Sequence, residues 1–165
     1  MAGNRSKQSV KASVSAEQRR QEEGLARVMN QLETFPTVAE TIGRGETKMS
    51  VRLEAGLQID LRVVAPESFG AAMQYFTGSK EHNVLLRGRA KQRGLKVNEY
   101  GVFREEENQP TYVAGASEMD VYSALGLPWI PPELREARRE FEWADADALP
   151  ELITPADLQG DLHMH

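Results

Sequence analysis

Cysteine is absent from the 165 residues of this chain. Without cysteine there is no disulfide framework and no thiolate metal site. Long apolar runs are missing too, since no stretch approaches the ~20 apolar residues needed to cross a membrane. The first residues are polar and basic, without a charged start followed by an apolar run, so no signal peptide is expected. Together these absences fit a cytoplasmic protein that does not enter membranes.

Acidic residues are scarce in one part of an otherwise acidic chain. The whole sequence has 20 Lys or Arg and 25 Asp or Glu, a net charge of −5, which argues against a general nucleic-acid binder. From Lys80 to Lys96, however, six Lys or Arg accompany a single acid, Glu81. Such a run is usually a solvated face, but it also fits a surface that binds nucleic acid or phosphate. The charge alone leaves both interpretations open.

One strand is the clearest element of the sequence. Leu57 to Val64 alternates apolar and polar residues without a break, and Lys48 to Glu54 alternates in the same way. Pairing the two through a three-residue loop places Ser50 opposite Asp60 and keeps the apolar residues on one face. Asp is depleted in strands. Asp60 is therefore either a surface residue paired with Arg62 or a residue chosen for function.

Periodic patterns and turn residues predict the other elements. The expected helices cover Ser15 to about Phe35, the segment after Pro66, Lys80 to Arg93, the segment after Ser117, and Glu133 to Glu142. The expected short strands lie at 38–42, 95–98, 101–104 and 112–113. Apolar spacing also predicts which helical side chains are buried. These are Leu25, Val28, Met29 and Leu32, then Phe69, Ala72, Met73 and Phe76, then Val84 and Leu85, then Met119, Tyr122 and Leu125.

Several motifs, in order and at matching spacing, closely resemble the family X DNA polymerases, the relatives of polymerase beta. The segments that carry the resemblance are Gly45-Glu46-Thr47-Lys48, Gln58-Ile59-Asp60-Leu61-Arg62, Tyr75-Phe76-Thr77-Gly78-Ser79, Asn83 with Arg87, and Asn98-Glu99-Tyr100. The ending Gly160-Asp161-Leu162-His163-Met164-His165 is similar to the first motif of the PHP domain. That domain follows the polymerase core in bacterial and archaeal members. The resemblance covers about residues 25 to 165.

The resemblance implies an α+β fold. It consists of a partial nucleotidyltransferase palm, an antiparallel sheet with helices, followed by a small mixed lobe of the thumb type. The implied parts are a flexible arm at 1–14, a partial palm at 15–65, a nucleotide-selecting lobe at 66–140, and a linker with the first strand of a truncated PHP domain at 141–165.

The resemblance also implies roles for single residues. Asp60 matches the third metal-binding carboxylate of the family, which holds the catalytic Mg²⁺ (or Mn²⁺) near the primer 3′-hydroxyl. Tyr75, Phe76 and Gly78 match residues that lie against the sugar of the incoming nucleotide. Asn83 matches a minor-groove contact to the incoming base, where A·T and G·C pairs both offer an acceptor.

Further residues match contacts to DNA or a moving ion pair. Arg87 matches a residue that touches the template strand. Arg62 and Glu99 match a pair whose exchange accompanies closure of the lobe. The cationic run adds Arg89, Lys91 and Arg93 as expected DNA-binding residues.

The sequence departs from the family pattern at the metal site. The Gly-Ser turn and the Asp-x-Asp pair expected upstream of the first helix are absent, and Asp145-x-Asp147 lies on the wrong side of Asp60. His163 and His165 have metal-ligand spacing, but Zn²⁺ or Mn²⁺ is expected there only in a complete PHP domain. One carboxylate cannot hold two Mg²⁺ ions, which want several oxygen ligands each. The chain alone is therefore expected to be inactive.

The expected function is part of a DNA-directed DNA polymerase that fills short gaps in repair. Its expected partners are gapped or primer–template DNA, a dNTP, and the missing palm and PHP segments. The expected location is the cytoplasm, in association with the nucleoid. One alternative is a stand-alone nucleotide- or DNA-binding module that uses the face from Lys80 to Lys96. Another is a metal phosphoesterase built on His163 and His165.

Overall fold

The structure, a computed structural model, describes residues 16–107 and 109–160. Its fold is α+β, as expected, with two three-stranded antiparallel sheets and five α-helices in the described part of the chain. The chain divides between Val63 and Val64 into two compact units. None of the described helices is both long and apolar enough to cross a bilayer. The predictions for 1–14, for the helix start at Ser15, and for His163 and His165 lie outside the described residues.

The first unit holds one helix and one sheet. Its elements are α1 (Ala16–Glu33), β1 (Val38–Arg44), β2 (Lys48–Leu53) and β3 (Gln58–Arg62), with the strands in the order β1-β2-β3. The predicted hairpin register is confirmed, because Ser50 pairs with Asp60 and Val51 with Ile59. The loop between β2 and β3 ends at Gly56, whose φ of +84° is a left-handed conformation that glycine adopts without a steric cost.

The core of the first unit lies between α1 and one face of this sheet. Met29, Met49 and Val51 are buried there. Partly buried apolar residues pack around them: Leu32, Val38, Leu53, Ile59, Leu61 and Val63. Val28, expected on the buried stripe, is instead 42% exposed. Because successive side chains of a strand point to opposite faces, Asp60 projects from the exposed face.

The second unit holds four helices around a second sheet. Its elements are α2 (Phe69–Thr77), α3 (Lys80–Gln92), β4 (Leu95–Asn98), β5 (Gly101–Arg104), β6 (Thr111–Ala114), α4 (Glu118–Ala124) and α5 (Glu140–Asp145), with the strands in the order β4-β5-β6. A 3₁₀ turn at Pro66–Ser68 leads into α2. The helix predicted after Ser117 begins with a capping box, since Ser117 Oγ accepts from the Asp120 amide while Asp120 accepts from the Ser117 amide.

The predicted buried face of α2 is wrong for three of its four residues. Phe69, Met73 and Phe76 are 56%, 48% and 52% exposed. The helix instead buries its small and polar side, Gly70, Ala71, Ala72 and Gln74. The reason is close backbone packing, because a Cβ added at Gly70 would lie 2.1 Å from the Ser117 carbonyl carbon.

The same kind of error affects α3 and α4. Val84 and Leu85, expected to point inward, are 51% and 45% exposed. The residues that α3 buries are His82, Asn83, Leu86 and Ala90. On α4, Tyr122 and Leu125 are buried as expected, whereas Met119 is 63% exposed.

The helix expected from Glu133 to Glu142 does not form as a single element. A 3₁₀ turn covers Pro132–Leu134, and α5 begins only at Glu140. Between them Arg135 is completely buried, and its Nε donates to the Ile130 carbonyl at 2.9 Å. Burial of this guanidinium holds the segment in an irregular path, in which Ala137 has a φ of +54°.

Candidate functional site

Asp60 is an exposed carboxylate in the middle of β3, as the alternating pattern predicts. Its Oδ1 accepts a short hydrogen bond from Ser50 Oγ on the neighbouring strand. Gln58 Nε2 lies 3.3 Å from each of its two oxygens. The cross-strand register therefore fixes the direction of the carboxylate through two neutral donors.

These contacts keep Asp60 ionised. The hydrogen bond from Ser50 lowers the pKa of Asp60, with smaller contributions in the same direction from Gln58 and from the charge of Arg62. An exposed, ionised carboxylate is the kind of ligand that Mg²⁺ prefers. Within 16–107 and 109–160, however, no three His, Asp or Glu side chains are grouped to hold an ion. Asp60 thus fits one position in a metal's coordination shell and does not form a complete site.

The expected ion pair is divided between the two units. Arg62 lies at the end of β3 in the first unit. Glu99 is half-buried in the turn between β4 and β5 of the second unit. The Asn98 side chain shapes this turn by accepting from the Tyr100 amide at 2.9 Å.

The junction of α2 and α3 brings the expected sugar-contacting residues together. The rings of Tyr75 and Phe76 meet edge to face, with centroids 5.1 Å apart. Gly78 follows α2 with a φ of +76°. Ser79 then caps α3, because its Oγ accepts from the His82 amide at 3.2 Å. The junction therefore carries one exposed ring, Phe76, and one half-buried ring, Tyr75, beside a capped helix start.

Asn83 lies beneath this junction and keeps only 7% of its surface exposed. Its Nδ2 donates to the Tyr75 carbonyl at 2.8 Å. Its Oδ1 accepts from Gln74 Nε2 at 2.6 Å. The structure thus brings Asn83 and Tyr75 into direct contact and adds Gln74, which the sequence did not single out.

The expected DNA-binding cations are not equivalent. Arg87, Lys91 and Arg93 are exposed. Arg89 instead forms a two-point ion pair with Asp145, at 2.8 and 2.6 Å, and lies 4.9 Å above the Phe141 ring. The Asp145 contact raises the pKa of Arg89 and the Arg89 contact lowers the pKa of Asp145. Arg89 therefore joins α3 to α5, and this ion pair gives Asp145 a structural role.

A buried polar network was missed entirely at the sequence level. His82 Nδ1 lies 2.8 Å from Glu140 Oε1, and His82 Nε2 lies 2.9 Å from the Tyr122 hydroxyl. The His82 ring stacks on Phe141 at 4.7 Å. Glu140 also accepts from the backbone amides of Ala137 and Arg138, both at 2.8 Å. A run of charged residues at 133–142 gave no signal that Glu140 is internal.

The protonation states within this network follow from its environment. Burial lowers the pKa of His82 and outweighs the opposing hydrogen bond to Glu140, so the imidazole is neutral. Burial alone raises the pKa of Glu140, but the hydrogen bonds from His82 and the backbone lower it overall. Burial also raises the pKa of Tyr122, so its hydroxyl keeps its proton.

Arg135, which is completely buried, and Glu118, which is partly exposed, form an ion pair next to this network. The two guanidinium ends of Arg135 meet the Glu118 oxygens at 2.7 and 3.1 Å. The guanidinium also lies 5.3 Å above the Tyr122 ring and 5.9 Å above the Trp129 ring. This pair stabilises the segment between α4 and α5, and the Arg135 carbonyl also accepts a hydrogen bond from the Ser79 amide, at the α2–α3 junction, at 3.0 Å.

Comparison with known proteins identifies similar chains. The sequence model of the DNA polymerase beta thumb matches residues 72–136. The chain is 42% identical over 143 residues to DNA polymerase/3′-5′ exonuclease PolX of Bacillus subtilis, a match that covers 85% of this chain and 24% of that protein. It is 39% identical over 82 residues to human DNA-directed DNA/RNA polymerase mu, covering 49% of this chain and 16% of that protein.

Solved structures give the same result. A ternary P/T complex of Leishmania infantum polymerase beta matches with a TM-score of 0.60 at 27% identity, covering 77% of this chain and 58% of that one. A ternary gap complex of the same polymerase also matches with a TM-score of 0.60, at 25% identity, covering 77% and 54%. The chain therefore spans less than two thirds of the length of the proteins that it matches.

Proposed function

Because the chain belongs to the family X DNA polymerases, we propose that its second unit contacts the incoming nucleotide and the template, and that its first unit supplies one metal-binding carboxylate. The reaction served is the addition of a deoxynucleotide to a primer during gap filling. The single observation that carries this proposal is the α2–α3 junction. It lies inside the matched thumb segment and combines aromatic rings, a buried amide and exposed cations.

Each side chain of the junction has a task that its chemistry supports. Tyr75 and Phe76 offer ring surface to a deoxyribose, and Gly78 leaves room beside them because it has no side chain. Asn83 supplies an amide to the minor-groove edge of the new base pair, where every pair offers an acceptor. Arg87, with Lys91 and Arg93 further along α3, attracts template phosphates.

Asp60 serves the reaction from the first unit as an ionised oxygen ligand. A divalent ion such as Mg²⁺, when bound, lowers the pKa of the primer hydroxyl and neutralises charge on the phosphates. Ser50 and Gln58 orient the Asp60 carboxylate for that task through their hydrogen bonds. Asp60 is one ligand among several that the chemistry needs. The remaining carboxylates must therefore come from residues other than the described ones.

The division of labour along the chain is part of the proposal. Residues 15–65 act as part of a palm, and residues 66–140 act as the nucleotide-selecting lobe. Arg62 and Glu99 form a pair whose exchange accompanies closure of that lobe. Residues 141–165 lead into a PHP domain in which His163 and His165 are metal ligands. We expect no incorporation of dNTP by this chain alone, since two of the three catalytic carboxylates are absent from it.

Backbone amide NMR of the whole chain tests this proposal. Titration with a one-nucleotide-gapped duplex and the complementary dNTP is expected to shift the amide signals of 75–87 and the side-chain amide of Asn83. A non-complementary dNTP serves as the matched control and should leave the Asn83 signal in place. Shifts confined to the first unit, or equal responses to both nucleotides, would contradict the proposed nucleotide role.

A stand-alone DNA-binding module is the second candidate, favoured by the exposed cations of α3. Unlike the first candidate, a DNA-binding module does not have to respond to the nucleotide. Binding of gapped DNA that is unaffected by complementary dNTP, with the signals of Asn83 unchanged, would support this candidate. Template-dependent incorporation by the pure chain would contradict both.

A further inference from the structure

The exposed side of α3 carries an open groove, which we call the α3 groove. Its volume is about 580 Å³. The residues that line it are Val84, Leu85, Gly88, Arg89 and Gln92 of α3 and Phe141 of α5. All of them belong to the second unit. Because sites for small molecules have volumes of about 300–1,000 Å³, the α3 groove is large enough to hold a nucleobase.

The floor of the α3 groove is open and its sides are apolar. A Cβ added at Gly88 would meet nothing within 4 Å. Val84 and Leu85 precede Gly88 by four and three residues, so they are its neighbours on the helix surface. They are 51% and 45% exposed. The groove therefore presents apolar side chains around a position that has no side chain of its own.

The wall of the groove next to α5 has its charge balanced. The Arg89 guanidinium lies 4.9 Å from the centre of the Phe141 ring. Asp145 accepts from both of its ends, at 2.8 and 2.6 Å, and the Arg89 side chain remains 25% exposed in this pair. The wall therefore adds a planar group that is held in place, and its charge is already compensated by a carboxylate.

The opposite rim of the groove is cationic. At about 100° per residue around the helix, Arg87 and Lys91 lie on the side of Gly88 that is opposite to Arg89. Both are exposed, and neither pairs with an acid among residues 16–107 and 109–160. Because they are one helical turn apart, they form a row along α3. This row selects an anionic partner.

A strip of apolar surface beside a row of cations is typical of sites for single-stranded nucleic acid, in which cations follow the phosphates and bases stack on side chains. Paired bases cannot use such a groove, because their neighbours in the duplex already cover both of their faces. Asn83, which is 7% exposed, lies on a different side of α3 from Gly88. The groove is therefore separate from the position proposed for the new base pair.

We propose that the α3 groove holds an unpaired base of the template strand, next to the base pair that forms with the incoming nucleotide. This inference rests on the proposed template contact of Arg87 and extends it. Arg87 and Lys91 bind the phosphates of the unpaired segment, while one of its bases lies over Gly88, between Leu85 and Arg89. A site for this base fixes the register of the unpaired template on α3.

Fluorescence-anisotropy binding of the whole chain to primer–template DNA tests the proposal. The template carries a single-stranded extension in which one nucleotide at a time is replaced by an abasic residue, which keeps the phosphate and lacks the base. At one position the wild-type chain is expected to bind the abasic template about tenfold more weakly, a value in the range for the stacking of one base. Equal affinity for all of these templates would overturn the proposal.

A variant that fills the groove assigns the preference to this site. Gly88→Leu is expected to bind the intact and the abasic template equally. It should fold, because the added Cβ meets nothing within 4 Å and leucine favours helices. Gly24→Leu makes the same change in α1, where a Cβ also meets nothing within 4 Å, and should keep the tenfold preference. A preference that persists in Gly88→Leu would overturn the assigned site.

A second variant changes the apolar side of the groove without filling it. Leu85→Gln places a polar side chain of similar size beside Gly88 and should weaken the preference for the intact template. The dependence of affinity on salt should stay as in the wild type, because Arg87 and Lys91 remain. An undiminished preference in Leu85→Gln would contradict the stacking of a base in the groove.

The outcomes separate this inference from the proposed function. A wild-type chain that binds the DNA with salt-dependent affinity, but without preference for the intact template, overturns the base site and leaves the template contact of Arg87 in place. A chain that binds none of these DNAs overturns both. A wild-type dimer that Gly88→Leu converts to a monomer in sedimentation would assign the groove to contacts between copies of the chain and would also overturn the proposal.

Discussion

At the scale of single residues, the carboxylate of Asp60 is held by neighbours on its own sheet. Ser50 and Gln58, both neutral, donate to it, and the charge of Arg62 also acts on it. The pKa of Asp60 is lowered chiefly by Ser50. The lowered pKa of Asp60 is therefore chiefly a property of the β2–β3 register, which the alternating sequence predicts.

Replacement of Ser50 by alanine tests this relation. The Ser50→Ala variant loses the hydrogen bond that contributes most to the lowered pKa of Asp60, so this pKa should rise toward its ordinary value of 3.8. A ¹³C NMR titration of the Asp60 carboxyl carbon measures the change. Ser123→Ala, an exposed serine of the second unit, is the control and should leave the titration unchanged. An unaltered pKa in Ser50→Ala would contradict the role of Ser50.

Arg135 is the residue whose loss should destabilise the second unit most. Arg135→Met removes a completely buried guanidinium from Glu118, which is partly exposed and keeps the hydrogen bond from Trp129 Nε1, so the loss of this charged hydrogen-bond pair should cost about 2–3 kcal/mol of unfolding free energy. Urea denaturation measures the loss. Arg139→Met removes an arginine whose side chain is 65% exposed in its ion pair with Glu142, and it should change stability by about 0.5 kcal/mol or less.

The double variant Arg135→Met with Glu118→Gln gives the second half of this test. Neutralising Glu118 removes the stranded charge, so part of the lost stability should return. If the destabilisation of the double variant equals the sum of the destabilisations of the two single variants, the Arg135–Glu118 charge pair is not the source of the stability lost in Arg135→Met.

At the scale of elements, α2 and α4 pack closely because α2 offers glycine and alanine rather than large side chains. Gly70 N lies 3.2 Å from the Ala116 carbonyl, and Ala71 N lies 2.8 Å from the Gly115 carbonyl. These backbone contacts replace the side-chain packing that a typical amphipathic helix uses. They turn the large residues Phe69, Met73 and Phe76 outward.

A pair of glycine substitutions tests this packing. Gly70→Ala places a methyl group 2.1 Å from the Ser117 backbone, so α2 must move and the variant should lose more than about 2 kcal/mol. Gly88→Ala, in α3, meets nothing within 4 Å and should gain about 0.5–1 kcal/mol through helix propensity. Thermal or urea unfolding compares them. Equal effects of the two changes would contradict close packing at Gly70.

The sequence predicts strands better than buried helical faces in this chain. The β2–β3 register follows from a strict period of two, because a shift by one residue would expose the apolar set. On α2 the largest apolar residues, Phe69, Met73 and Phe76, are exposed, and on α3 Val84 and Leu85 are exposed while Leu86 is buried, so residue size alone does not indicate the buried face. Small residues such as Gly70, at a position that tolerates no side chain, are the physical signal that a size-based pattern overlooks.

The contacts of the candidate site also fall into some that the sequence predicts and others that it does not. The Ser50–Asp60 contact is predictable from register, since both residues lie on paired strands. The contacts of Asn83 with Gln74, and of His82 with Glu140, join residues that local spacing does not relate. Arg135 belongs to a charged run that predicts a solvated helix. Its burial is explained by its contact with Glu118 on α4, which the local pattern does not indicate.

At the scale of the whole molecule, acid should destabilise the second unit before it affects the first. The pKa of His82 is lowered in the folded state, so the unfolded chain binds more protons once the pH falls below about 6.5. The stability that neutral His82 contributes is therefore present above that pH and is lost below it. The lowered pKa of Glu140 adds a loss of the same sign at more acidic pH.

The unfolding free energy measured between pH 4 and pH 8 checks this sign. It should be nearly flat above about pH 7 and fall as the pH drops through about 6.5. His82→Phe keeps a ring against Phe141 but cannot titrate, so it should lower stability overall and flatten the slope between about pH 5 and 6.5. A slope that remains in this variant would assign the acid sensitivity to other groups.

Binding of gapped DNA as a function of salt tests the central claim most directly, namely that α3 presents the template-contacting surface. Affinity of the wild-type chain should fall linearly on a plot of log K against log salt concentration. Arg87→Ala should reduce that slope by about 1. Arg89→Ala, whose arginine is held by Asp145, should change the slope little. Affinity that is independent of salt, or a slope that Arg87→Ala leaves unchanged, would contradict the claim.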